Sequence, residues 1–175
     1  MYNDVVTVFN YHKKTGAWYT TVFKNVNLTE TIGETATPAN GRTNNDTVDL
    51  IIRILPDRSA HTVIYEPYLI VTNDGDAFVD QRGVKLSYKE PNTDEVRWYI
   101  GPKAYANLDD PNGYFTFKAE TDFFVVGNYS SDEPINDDDY DEGLYHAMND
   151  AQDSVYMITS AVYFSLLPHF EIGGR

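Results

Sequence analysis

The chain of 175 residues contains no cysteine. That absence excludes a disulfide framework, thiol nucleophiles and thiolate metal sites, and it fits synthesis in a reducing cytoplasm. Cations are scarce as well: Lys and Arg number 13 against 27 Asp and Glu, a net charge of -14. So few basic residues cannot assemble a face that tracks a phosphate backbone, and specific nucleic-acid binding is not expected. Long apolar runs are missing too, none approaching the roughly 20 residues that a spanning helix needs. Met1-Tyr2-Asn3-Asp4 is not a basic region leading into an apolar core, so neither a signal peptide nor membrane attachment is expected. The length favours one β-rich domain over residues 1–175, long enough to bury a core without covalent staples.

Constellations that carry chemistry are equally thin. His12, His61, His146 and His169 each stand alone, without another ligand type at metal-like spacing. The run from Asn136 to Gly143 offers several carboxylates, but its glycine and distal glutamate miss the spacing of a calcium loop. No Gly-rich phosphate loop is present, and Gly173-Gly174 has no helix after it. No catalytic residue, metal or cofactor is therefore expected, and an enzyme is not the reading favoured.

What the chain does have is aromatic side chains and short-period alternation. Its 14 Tyr and nine Phe follow strand propensity and supply partly polar contact surface. Asp4 to Tyr11 alternates with Val5, Thr7, Phe9 and Tyr11 on one face, then Lys13 to Gly16 turns the chain into Ala17 to Lys24, an N-terminal hairpin. Thr47 to Ile54 puts Val48, Leu50, Ile52 and Ile54 on one face, the pattern of a half-buried strand. His61 to Val71 reads as extended but broken by Pro67, and Asn73 to Asp76 reads as a turn. Val84 to Tyr88 and Glu95 to Ile100 form a second hairpin, and Pro102 opens a short helical turn. Tyr114 to Lys118, Phe123 to Gly127, Ser154 to Ser160 and Val162 to Ile172 add strands, the last with Leu166, Pro168, Phe170 and Ile172 on its core face. One helix is expected over 139–151, capped by Asp137 to Asp139 and buried through Tyr140, Leu144, Ala147, Met148 and Ala151. The fold class is mainly β: a small barrel or sandwich with one packed helix near its C-terminus.

Thr29 to Asp46 stands apart from this pattern. It is rich in Thr, Asn, Gly and Pro, and Ile32 is its only large apolar residue, so it reads as a long flexible loop between the second and third strands. Thr29, Glu30, Ile32, Glu34, Pro38, Asn40, Arg42 and Asn44 are its candidate functional positions, with Arg42 its sole cation.

The most specific signal is the ending, Leu167-Pro168-His169-Phe170-Glu171-Ile172-Gly173-Gly174-Arg175, read with Ser154 to Ser160. Together with Asp4 to Asn10, Trp18 to Val26, Tyr99 to Tyr105, Tyr114 to Phe117 and Asp122 to Gly127, in that order, it resembles a group of small virion proteins of tailed phages and prophages of Gram-positive bacteria. Tyr65 to Asp94 has no counterpart there, and Ala161 to Phe164 departs from the group's pattern. The resemblance implies a head-tail joining protein, a stopper whose β-barrels form a ring below portal and adaptor, a hexamer or dodecamer. In such stoppers the long loop between the second and third strands projects into the channel and retains packaged DNA. The partners implied are portal, adaptor and tail proteins, with DNA nearby but not specifically bound and the virion as location. Trp18, Tyr19, His169, Phe170 and Arg175 are the interface candidates. A capsid decoration or tail-joining protein, or an unrelated acidic protein-binding module, are the alternatives.

Overall fold

A computed structural model describes residues 4–31, 34–37, 41–44, 46–54, 68–71, 77–80, 86–91, 93–164 and 166–175. The N-terminal hairpin pairs β1, Asp4–His12, with β2, Ala17–Thr31. Its turn ends on Gly16 at φ +67°, a left-handed conformation that a residue without Cβ adopts freely. β1 is buried on both faces rather than one: Val6 and Val8 join Phe23 in the main core, while Phe9 joins Trp18 in a second.

The remaining barrel strands are β5 (Thr47–Arg53), β11 (Phe123–Val126), β13 (Val155–Phe164) and β14 (His169–Gly174), numbered in chain order. Pairing runs β1, β11, β13, β14, β5, β2 and back to β1, antiparallel throughout, a closed six-stranded barrel, which decides between the barrel and the sandwich that the sequence leaves open. Closure leaves no open sheet edge around that circuit. Val48, Leu50, Ile52 and Ile54 are buried, in agreement with their period of two. Outside the circuit, β12 (Ile135–Asn136) adds to β2, and β3 (Glu34–Thr37) pairs with β4 (Gly41–Asn44). β6 (Tyr68–Val71) pairs with β7 (Ala77–Asp80), while most of the 61–71 stretch and the 73–76 turn lie outside the described residues.

A small sheet fills the barrel from one side. β8 (Leu86–Lys89) and β9 (Val96–Tyr99) form the expected hairpin, and β10 (Tyr114–Phe115) runs parallel to β9. Tyr88, Phe115 and Phe117 are buried in the same core as Phe23, Leu50 and Phe170. Phe170 is the joint, its ring 4.7 Å from that of Tyr99, 5.0 Å from Phe117 and 5.2 Å from Tyr163. Aromatic pairs at such separations add to the burial of each ring.

The helices differ in extent from the sequence expectation. α1 is Pro102–Tyr105, with proline at its start and Tyr105 buried edge-on to His12, ring centroids 5.6 Å apart. α2 is Leu144–Ala151, not 139–151, because Asp137–Asp139 close instead into a single 3-10 turn and Gly143 at φ +87° breaks the path. Asp137 still satisfies the helix end, but from seven residues upstream: its Oδ1 accepts from Leu144 N at 2.8 Å and from Trp18 Nε1 at 2.6 Å. A Cβ on Gly143 would stand 3.1 Å from that oxygen, so glycine admits the carboxylate. Tyr140 therefore lies outside the helix and exposed, while Leu144 and Met148 pack on Phe9, Phe123 and Val155.

The C-terminal segment is also two elements where one strand is expected over 162–172. β13 continues to Phe164, the chain turns at 166–168, and β14 returns. Phe170 and Ile172 face the core as alternation predicts, but Leu166 is 93% exposed, because the turn interrupts the alternation before it. The Gly173-Gly174 pair has a packing reason. A Cβ on Gly174 would meet Val48 at 2.8 Å and Phe124 at 3.0 Å, and one on Gly173 would meet Ser160 Oγ at 2.7 Å. Only hydrogen fits where β14 crosses its neighbours.

Phe170→Ala is expected to cost about 3–5 kcal/mol, the range for a fully buried aromatic truncation, read from the denaturant midpoint at constant m-value. A loss below about 1 kcal/mol would contradict the packing described for this ring.

Candidate functional site

The 29–46 segment is more ordered than a flexible loop in its described parts. Thr29 and Glu30 belong to β2, opposite Asp49 and Val48 of β5. Farther out Glu34 stands opposite Asn44, and Ala36 opposite Arg42, in the β3–β4 pairing. Ile32, Pro38 and Asn40 lie outside the described residues. β-branched Thr at 29, 31, 35, 37, 43 and 47 supplies strand propensity that a reading for apolar periodicity overlooks. The base of this ribbon is pinned to the barrel: Tyr156 Oη donates to Glu30 Oε1 at 2.6 Å, and Leu28 N donates to Asp4 Oδ2 at 3.2 Å. Burial, with the Glu30 carboxylate beside it, pushes the Tyr156 phenol up, so it remains a donor.

The five interface candidates divide. Trp18 and Phe170 are core residues, 5% and 2% exposed, and present no surface to a partner. Their large apolar area explains why they turn inward. Tyr19 is half-buried against His12, ring centroids 6.1 Å apart. His169 stacks on Phe164 and reaches Glu171 Oε1 at 3.2 Å. Arg175 is exposed, 3.7 Å from Glu120, and its backbone closes the β13–β14 ladder on Met157. Sequence alternation missed a set of exposed apolar side chains nearby: Val162, Phe164, Leu166 and Leu167 at the β13–β14 end.

A buried polar cluster lies where the chain enters β11, beside β13. The Asp122 carboxylate accepts from Lys118 N at 2.8 Å, Asn10 Nδ2 at 2.9 Å and Tyr11 N at 3.1 Å. Asn10 Nδ2 also donates to Thr116 O at 2.7 Å. Burial outweighs these three donors and pushes the Asp122 carboxyl up to about 7. His12, at the end of β1, is fully buried as well, with Nδ1 3.1 Å from Thr15 Oγ1. The signal in the sequence was an acid abutting the apolar run Phe123 to Val126, a place where a solvated charge does not belong.

Elsewhere the surface offers a shallow polar cleft of about 130 Å³ lined by Tyr88, Glu90, Glu95, Arg97, Ser130 and Asp132. Glu90 is tied up there by the Lys24 ammonium. Among the described residues no group of three or more His, Asp and Glu is disposed to hold a metal ion. Among those residues, too, no helix is long and apolar enough to cross a membrane.

The position of Asp122 makes stability depend on pH. With its folded value near 7 against an ordinary 3.8, the native state keeps a proton that the unfolded chain has released. Its contribution is complete below about pH 4 and fades as pH rises through about 7, with a slope of at most about 1.4 kcal/mol per pH unit. Denaturant melts of the wild type and of Asp122→Asn across this window should give a difference that changes with pH. A constant difference would refute the assignment.

Comparison with family models, with curated proteins and with solved structures finds no match to this chain.

Proposed function

We propose that this chain is a structural virion protein of a tailed phage, a stopper in the head-tail neck that forms a ring below portal and adaptor and closes the DNA channel. The observation carrying this reading is the β3–β4 ribbon, which leaves the closed barrel between β2 and β5. That is the interval in which stoppers of the group this sequence resembles bear their channel loop. The ordered series of sequence patches, strongest at the C-terminus, supports the same reading.

The mechanism is mechanical. A ring of ribbons would narrow the exit, and each ribbon is anchored at its base by β2–β5 pairing and by the bond from Tyr156 to Glu30. A net charge of -14 suits the role, since an acidic wall repels DNA and keeps it from adhering while it passes. Capsid decoration is separated from the stopper by copy number, and presence with portal and adaptor in DNA-filled heads is expected of the stopper.

Two experiments test the proposal. Replacing residues 32–45 with a short Gly-Ser link keeps the Thr31–Thr47 pair, so the purified chain should melt as the wild type does while particles lose their genome. In wild-type particles the chain should be present in ring-like proportion to the portal. Full DNA retention with the replaced ribbon, or hundreds of copies spread over the shell, would defeat the stopper reading. Separately, anisotropy of a labelled duplex at about 0.15 M salt should show no binding. Micromolar affinity would mean that retention involves adhesion.

A further inference from the structure

We infer that the end of the barrel reached by β1 holds ordered water as a structural ligand, in a buried site walled by His12 of β1, Tyr105 of α1 and Thr116 of the segment between β10 and β11. The site lies within one copy of the chain and does not depend on the neck reading.

Three buried polar atoms carry the inference. His12 Nε2, Tyr105 Oη and Thr116 Oγ1 have no hydrogen-bond partner among the described residues. His12 is 0% exposed, Thr116 1% and Tyr105 2%. A buried polar atom left unpaired loses its hydration without return, so most such atoms in folded proteins bond to the protein or to an ordered water.

Contacts link the three residues into one neighbourhood. The His12 ring meets that of Tyr105 edge-on, with centroids 5.6 Å apart. Asn10 stands two residues before His12 and so on the same face of β1. Its Nδ2 donates to Thr116 O at 2.7 Å and to Asp122 Oδ2 at 2.9 Å. Burial, and after it the charge of Asp122, hold the Tyr105 phenol protonated. A charge acts in that way only on a group close to it.

The chemistry of the three atoms selects water. Thr15 Oγ1 donates its proton to His12 O at 3.2 Å, so in its 3.1 Å contact with His12 Nδ1 it accepts. The imidazole therefore carries hydrogen on Nδ1, and in the neutral ring Nε2 presents a lone pair. Tyr105 and Thr116 present hydroxyls, each able to donate or to accept. Water completes such a set by giving a hydrogen to Nε2 and taking hydrogens from the hydroxyls, and buried waters make about three bonds of this kind. A metal ion fits the set less well, because the oxygens of the one carboxylate nearby, Asp122, are already occupied by N–H groups of Asn10, Tyr11 and Lys118. Water held here would tie α1 and the entry to β11 onto the end of β1.

The test uses the full chain in solution. Water–protein NOESY spectra of the wild type should show cross-peaks from a long-lived water to His12 Hε1. Tyr105→Phe removes one hydroxyl and Thr116→Val replaces the other by a methyl group, and each should lower the melting temperature. The double variant should lower it by less than the sum of the two, since the first change already loosens the shared water. Hydroxyls without a partner behave in the opposite way: their deletion relieves a penalty. Single variants that melt higher than the wild type would therefore overturn the inference, as would strictly additive losses or the absence of the water cross-peaks. So would melting that falls when choline replaces sodium at constant ionic strength in the wild type but not in the double variant, a result that would put a cation in the site.

Discussion

Asp122 ties together three parts of the chain that are distant in sequence. Its side chain takes N–H bonds from Asn10 and Tyr11 of β1 and from Lys118, and its backbone carbonyl takes one from Ile158 of β13. It stands where the chain enters β11, the strand that links β1 to β13 and so completes one side of the barrel. A buried acid is costly unless its oxygens are occupied, and here the folded backbone occupies them. The same carboxylate that stabilises this junction also brings a titration into the neutral range.

Closure of the barrel then determines what the surfaces can do. With six strands paired in a circuit, the sheet has few places to receive a partner, and the described exceptions lie at its extensions. One is the ribbon that grows from β2 and β5, the other the end of β13 beyond β11. They differ in character, since the ribbon is rich in Thr and polar residues while the hairpin end is uncharged and apolar.

Much of the barrel was legible in the residues. The β5 pattern, the first hairpin and the 86–99 hairpin follow from period-two alternation and turn chemistry. Where alternation failed, a tertiary contact had replaced it. Tyr140 leaves the helix because Asp137 is drawn to the Trp18 indole, and Leu166 faces outward because the chain reverses there. Phe170 was legible as core from alternation, whereas Trp18 was legible only as a large aromatic, since its end of β2 is buried on both faces and carries no polar side to mark its orientation.

By itself the sequence determined the mainly β class, the turns of the first hairpin and of the 86–99 hairpin, the lack of thiol chemistry and the acidic charge, because each depends on local residue type. It also carried the glycines of the C-terminus without their reason. Only the tertiary structure decided that reason, the collision that any Cβ on Gly174 would have with Val48 and Phe124. It alone decided the circuit of strands, the burial of Asp122 and the exposure of Leu166 and Leu167, because each depends on which distant segments become neighbours.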